Sequence, residues 1–444
     1  VSQGGWVNFL SRTFSWALLF LTLPLLFLPK VNLISLDPEE TAGFRLDDLI
    51  LFITGILLLW VHALSDQSLD KIEGWILSIS MLAFFSFLAN RLLVSMGVIF
   101  MDAKIFYAFR LLEYFLFFYI GALASQFFQA RTIILPFLLW NFLLMTFQKL
   151  NVVGGIVSEG YHADVSSRVQ GIAAFPSEMG LLLNLLFCYL IFDDSTRSGW
   201  VNRFHSPFRH ELFSQLFLYG LFFLFAIFII FTGNRISIVA VFVSFLFRLK
   251  KELSSHFVIS SLCIAFFIPL VVLVISVIMI HTPGVYNRSF DLFSFKNLEL
   301  FPLVWDQIDI TQHPMASEGT FVEDYDMSWW LRIHKWLFMA KTYFYTPQCY
   351  LQGLGPGYAG AALDGGFLRI LTEYGLIGVF LFWKFFSLLY RLNAQTQGML
   401  IAFSINMIFF DAYLAYKTMS FLLLACGYIH ARSTCKEDPV PSIV

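Results

Sequence analysis

The chain has 444 residues, of which 58% are hydrophobic and only 13% charged, and its mean hydropathy is +0.75. A water-soluble fold of this size carries more charge, so the composition excludes that class and points to an all-α integral membrane protein. The net charge of −2 and the absence of a basic tail offer no surface for a nucleic-acid partner.

A spanning helix needs about 20 mostly apolar residues, and about twelve such stretches follow one another along the chain. They run over 12–29, 46–64, 74–90, 105–128, 131–149, 177–192, 211–231, 235–249, 257–281, 367–390, 397–412 and 415–430. The two that begin at 177 and 235 are short, which leaves the count open by one or two. All are apolar on consecutive residues, without the alternation of barrel strands, so helices are the spanning structure. The first contains Pro24 and Pro29 and lacks a small-residue cleavage site, so it is expected to be a retained span. The expected organisation is a bundle of about nine spans over 1–281, an external loop over 282–366 between spans 9 and 10, and C-terminal spans with a short tail over 367–444. The five cysteines are scattered without a C-x-x-C, and three lie in expected spans, so neither a disulfide framework nor a zinc site follows.

Lys and Arg cluster after span 6 (Arg197, Arg203, Arg209) and after span 8 (Arg248, Lys250, Lys251), with Arg391, Arg432 and Lys436 on the same side by alternation. The positive-inside rule therefore sets both termini in the cytoplasm and 283–366 outside. The bias is weaker in the N-terminal half, where Lys30, Arg45, Arg91 and Lys104 fall outside. Spans 2, 6, 8 and 10 then start on the outer face, and their unpaired N–H groups and positive dipole ends suit an anion. Near those four starts lie Arg45, Asp47 and Asp48; Arg168 and Pro176; Gly233-Asn234-Arg235; and Asp364. Arg235 directly opens an apolar helix, which favours a binding role there, whereas Arg45 and Asp47 read equally well as ordinary flanking residues.

The external loop is the chain's one long polar segment, and it is net acidic. Any anionic substrate would therefore be held by a few placed cations. Within it, Trp329, Ile333, Trp336, Leu337, Ala340 and Phe344 follow helical spacing, with Ser328, Arg332 and Lys335 on another face. Such a Trp-rich amphipathic helix is expected to lie in the membrane interface and to present Arg332 and Lys335 to the headgroup layer; the alternative is a solvated face on a helix that packs against the bundle. Arginine suits phosphate oxygens because its planar fork binds them in bidentate fashion. Gly353-Leu354-Gly355-Pro356-Gly357 and Asp364-Gly365-Gly366 allow close backbone approach or tight turns, and Gly375 and Gly378 read as small residues for helix contact.

These blocks, taken in order, resemble the O-antigen ligase and O-antigen polymerase superfamily of bacterial envelope enzymes. Ala42-Gly43-Phe44-Arg45-Leu46-Asp47-Asp48-Leu49 looks like the family's opening of span 2. Arg168-Val169-Gln170-Gly171 with Phe175-Pro176-Ser177 and Gly180 is similar to its block before span 6, and Thr232-Gly233-Asn234-Arg235 to the arginine-led start of span 8. Arg332 with Trp336, then Pro347 and Gly353-Leu354-Gly355, resembles the arginine helix of the large external loop. Asp364-Gly365, nine residues, Gly375, two residues and Gly378 match the spacing of its closing motif. Ligases of this family usually carry a histidine where this chain has Asp364, and the aspartate looks more like the polymerase branch, with the ligase branch kept open.

The resemblance implies a metal-independent, cofactor-free, inverting glycosyltransferase of the bacterial cytoplasmic membrane, with its site facing the periplasm or exterior. Its donor would be a polyprenyl-pyrophosphate-linked oligosaccharide and its acceptor a glycan or lipid, amid membrane lipids and envelope polysaccharide-assembly proteins. Arg235 and Arg332, with Arg168 as a third, would stabilise the departing pyrophosphate, Lys335 would join them in binding the substrate, and Asp364 would take the acceptor's proton. His334, His281, His313 and Glu373 are rival bases. No His/Asp/Glu group has metal-ligand spacing. A secondary transporter is the alternative from another class, but no internal repeat is visible. Arg110 and Glu113 in span 4 form the evident in-span pair and would neutralise each other.

Overall fold

The computed structural model describes residues 14–29, 32–35, 43–64, 70–156, 165–193, 207–253, 299–312, 327–360 and 362–437. Its helices are α1 (Phe14–Phe27), α2 (Leu46–Leu64), α3 (Lys71–Ser95), α4 (Ile105–Phe127), α5 (Ala130–Lys149), α6 (Pro176–Ile191) and α7 (Pro207–Thr232). They continue as α8 (Arg235–Leu253), α9 (Leu300–Gln307), α10 (Met327–Tyr345), α11 (Gly366–Tyr390), α12 (Ala394–Asn406) and α13 (Tyr416–Glu437). A small antiparallel hairpin, β1 (Asn32–Ser35) with β2 (Gly43–Arg45), precedes α2 and carries a bulge between Asn32 and Ile34.

Every expected apolar stretch forms a helix except 257–281, which lies outside the described residues. Four helices, α3, α4, α5 and α11, are long and apolar enough to cross a membrane, and α1, α6 and the Leu216–Thr232 part of α7 are shorter apolar helices. The described residues thus carry fewer full-length apolar helices than the apolar runs predict. Part of the difference is local: α6 ends after 16 residues and α12 after 13, while α8 and α13 finish in charged turns; part falls on runs that the described residues cover incompletely.

Two glycines explain the tightest crossing. At Gly121 of α4 a Cβ would run into the carbonyl of Leu424, and at Gly427 of α13 into that of Phe118. The bare glycines let the two backbones touch, and α4 with α13 becomes the most extensive helix pair of the bundle. Short α6, apolar but for Ser177, Glu178 and Asn184, is buried on nearly every side, against α7, α8, α12 and α13. A second hydrophobic cluster forms beside the bundle. It joins Leu300 and Val304 of α9, Trp330, Ile333 and Phe338 of α10, Leu354, Tyr358 and Leu363 of the loop, and Leu93 and Ile99 at the α3–α4 turn.

Gly375 does more than provide helix contact. It sits at φ 66°, ψ −166°, and breaks α11 into two pieces. The backbone groups this frees are taken up by the preceding loop. Leu354 and Gly355 donate to the carbonyls of Thr372 and Glu373 at 2.7 and 3.0 Å, and Leu376 and Ile377 donate to those of Tyr350 and Leu351 at 2.9 and 3.1 Å. Ser86 and Asn90 of α3 seal the junction, Ser86 on the carbonyls of Gln352 and Glu373 and Asn90 on that of Leu354. The loop is thereby stitched to one end of the bundle.

Candidate functional site

The turn at 362–365, just ahead of α11, collects the polar face of α10. Arg332 Nε lies 3.0 Å from Asp364 Oδ2. Lys335 Nζ donates to the carbonyl of Ala362 at 3.1 Å, and Trp336 Nε1 to that of Leu363 at 2.9 Å. One helical turn of α10 therefore grips three successive residues. Arg332 and Asp364 are each about one-third exposed, so the pair faces outward and is reachable. Gly365 packs beneath it, where a Cβ would sit 3.0 Å from the indole nitrogen of Trp336.

Asp364 itself sits at φ 58°, in the left-handed region that L-residues seldom occupy and Asp tolerates better than most. The conformation is held from below. The carboxylate of Asp411, in the α12–α13 connection, accepts from the backbone N–H of Leu363 (2.7 Å), Asp364 (3.4 Å) and Gly365 (3.1 Å). Fully buried Arg369 donates to the same carboxylate at 2.8 Å, to Glu373 Oε1 at 3.0 Å and to the carbonyl of Gly360 at 2.6 Å. Glu373 in turn accepts from Ala359 N and from the hydroxyl of Tyr413. The N-terminus of α11, expected to be open to an anionic ligand, is thus already filled by the chain's own carboxylate.

A second group surrounds the start of α8. Arg168 Nε approaches the carbonyl of Thr232 at 3.4 Å and lies along Gly233, whose φ of 65° turns α7 into α8. Val169 N donates to Phe231 at 3.0 Å, so the Arg168 block is fastened to the turn that Arg235 follows. Below it, Asn234 donates to Ser237 Oγ, Ser237 Oγ to Asn406 Oδ1 and Asn184 to the carbonyl of Ser237, which ties α6, α8 and α12 together. Asn406 lies five residues before Asp411. The 406–411 segment thereby puts the Arg168–Arg235 group and the Arg332–Asp364 group at the same end of the bundle.

Other expectations resolve differently. Arg45 is buried, paired with Asp47 and Asp48 at 3.6 and 3.4 Å and laid over the ring of Tyr416, so it anchors α2 to α13. Of the expected apolar face of α10, Ile333 is buried in the second hydrophobic cluster, Trp329, Trp336, Leu337 and Ala340 are half-buried and Phe344 is exposed, while Trp330, Phe338, Met339 and Tyr343, off that face, are buried in the same cluster. His334 is buried there too, stacked on Trp330 at 5.2 Å, and burial pushes its imidazole below the ordinary value. Glu373 is fully enclosed by Arg369 and Tyr413. Neither can reach an external acceptor. His281 and His313 lie outside the described residues. Among the described residues the in-span ion pair is Arg369–Glu373, while Arg110 lies over the ring of Tyr107. Arg369 and Asp411 were not foreseen; the signal available was an isolated charge inside or between apolar runs.

No protein-family model matches the sequence, and no curated protein matches it.

Proposed function

We propose that the chain is a membrane glycosyltransferase that transfers or polymerises a polyprenyl-pyrophosphate-linked oligosaccharide on the outer face of a bacterial cytoplasmic membrane. The observation that carries this reading is the partly exposed Arg332–Asp364 pair on a backbone turn that α10, Arg369 and Asp411 hold from both sides. It joins a phosphate-binding fork to a carboxylate base at the two positions that the family resemblance marks. Large exposed apolar side chains along the spans, such as Phe52, Phe85, Leu139 and Trp383, support a lipid surrounding. The full count of about twelve spans belongs to this proposal, as does the assignment of the 362–365 end to the outer face.

Without donor, Arg332 and Asp364 satisfy each other. A pyrophosphate offers the guanidinium a bidentate partner of higher charge and draws Arg332 off the carboxylate. Asp364 is then free to accept the proton of an acceptor hydroxyl. The hydroxyl oxygen attacks the anomeric carbon from the face opposite the pyrophosphate, and that carbon's bond to the phosphate oxygen breaks with its electron pair going to the leaving group. Configuration inverts and no covalent enzyme intermediate forms. Arg332, with Arg235 and Arg168 from the second group, stabilises the charge gathering on the pyrophosphate, and Lys335 keeps the turn in place.

An aspartate at the base position favours a polymerase over a ligase that joins glycan to a lipid A-core or other acceptor. A transporter would use a broken helix to line a solute cavity. Here the groups freed at Gly375 are bonded to the loop at 350–355, which leaves them no such task. The test is transfer by the purified protein in detergent from a lipid-linked donor. Chain extension supports the proposal; uptake of solute by vesicles without any glycan transfer would overturn it.

A further inference from the structure

We infer that Asp411 is a positioning residue for the site, an internal anion that fills the cradle at the start of α11 and so keeps Asp364 turned toward Arg332. The inference rests on the functional reading above for its catalytic consequence, but not for its geometry. Three successive backbone N–H groups converge on one carboxylate, with the buried guanidinium of Arg369 closing the fourth side. Successive N–H groups turned to one side by a left-handed residue form an anion nest, and a helix N-terminus adds its positive dipole end. An empty nest of this strength would take the nearest anion. The nearest candidates are the side chain of Asp364, which shares the turn, and the phosphates of any donor, and either capture would dismantle the arrangement. Asp411 removes that competition and spends none of its contacts on the outside.

Arg369 is matched on its other side by Glu373, which is itself bonded to Ala359 N and Tyr413. The chain Asp411–Arg369–Glu373–Tyr413 therefore runs from the site turn into the bundle and fixes the turn to α11 and to the α12–α13 connection together. The residue's contribution acts through Asp364; it touches no substrate.

Asp411→Asn keeps size but sets an amide N–H₂ against backbone N–H donors and leaves Arg369 with one counter-charge. The direct probe is geometric and needs no substrate. In full-length protein without its native cysteines, Arg332→Cys with Asp364→Cys is treated with a short bifunctional thiol reagent, with and without Asp411→Asn. Cross-linking is expected to fall about tenfold with Asp411→Asn, the effect of a small displacement on a reaction that needs close approach. Cross-linking unchanged in a monodisperse Asp411→Asn protein overturns the inference. Should that variant not give monodisperse protein, Asp411→Ala with added formate decides: formate filling the nest restores both monodispersity and cross-linking, and no recovery with formate overturns the inference. With cysteines absent and the site intact, Asp411→Asn is expected to lower kcat about 100-fold while KM for the donor stays within about threefold. If the wild-type protein shows no transfer while cross-linking responds as described, the functional reading has failed and the positioning has not.

Discussion

Asp364 occupies a backbone conformation that costs most side chains on the order of 1–3 kcal/mol, and Asn and Asp tolerate it best. Asp364→Asn is therefore the informative change: it keeps the conformation and removes the base, so glycan transfer is expected to vanish while the thermal midpoint stays put. Wild-type chain lengths from that variant would make Asp364 structural. Arg332→Lys keeps the charge and loses the fork. Hydrogen bonds to charged groups are worth roughly 1.5–3 kcal/mol, so kcat/KM should drop about 10- to 150-fold, read from donor titrations. His334→Gln should leave transfer intact, because the ring is buried against Trp330. It should also change the acid response. His334's folded pKa is depressed, so the unfolded chain binds the proton more readily; stability is full above the ordinary value of about 6.5 and declines as pH falls toward the folded value. The variant should lose that decline in a series of melting curves at falling pH. At this scale Arg332, Lys335 and Asp364 could be found in the sequence, because helical spacing and a recurring motif mark them. Asp411 is harder to find: its one signal is an isolated charge at the end of an apolar run, and besides Arg369 its partners are backbone N–H groups, which any sequence supplies.

Apolar runs located the helices well, because burial against lipid or protein imposes the same continuous pattern on both. They could not tell α6, enclosed by protein on nearly every side, from a helix that faces lipid. Nor could they locate the break in α11. Gly375 reads as a small residue for packing until the positive φ and the loop bonded across it are seen. A Cβ at Gly375 would strike the carbonyl of Leu351 and would also force a side chain into the left-handed region. A Gly→Ala change at a compatible site stabilises by about 0.4–1 kcal/mol, but Gly375→Ala is expected to destabilise by roughly 1–3 kcal/mol, with earlier proteolysis within 346–360 as the local readout. Cleavage at the wild-type rate would show that the junction accommodates the methyl group.

For the whole molecule, one end gathers the starts of α2, α6, α8, α11 and α13 together with the loop, and the charged finishes of α8 and α13 point away from it. The proposed orientation puts that end outside. In a background without native cysteines, Gln348→Cys should react in whole cells with a membrane-impermeant thiol reagent, and Ser433→Cys should react only after lysis; both positions are exposed. The reverse labelling would put the Arg332–Asp364 pair in the cytoplasm and remove it from any lipid-linked donor on the outer face. Charge clusters carried this orientation in the C-terminal half of the sequence. In the N-terminal half they do not, and Arg45 there is held in a buried pair with Asp47 and Asp48.

The carboxylate that closes the turn at 362–365 comes from residue 411, after α11 and α12 have both been made. On the ribosome, Arg332, Lys335 and Asp364 all emerge before it. The nascent chain can form α10 and the loop early, yet the turn has no anion to settle on until the α12–α13 connection has threaded back. Synthesis order thus acts as a timer, and a chain cut short before Asp411 holds every outward-facing group of the site without the means to aim them. Released chains truncated near 405 and near 437 should differ sharply in the cross-link between positions 332 and 364, with only the longer one competent.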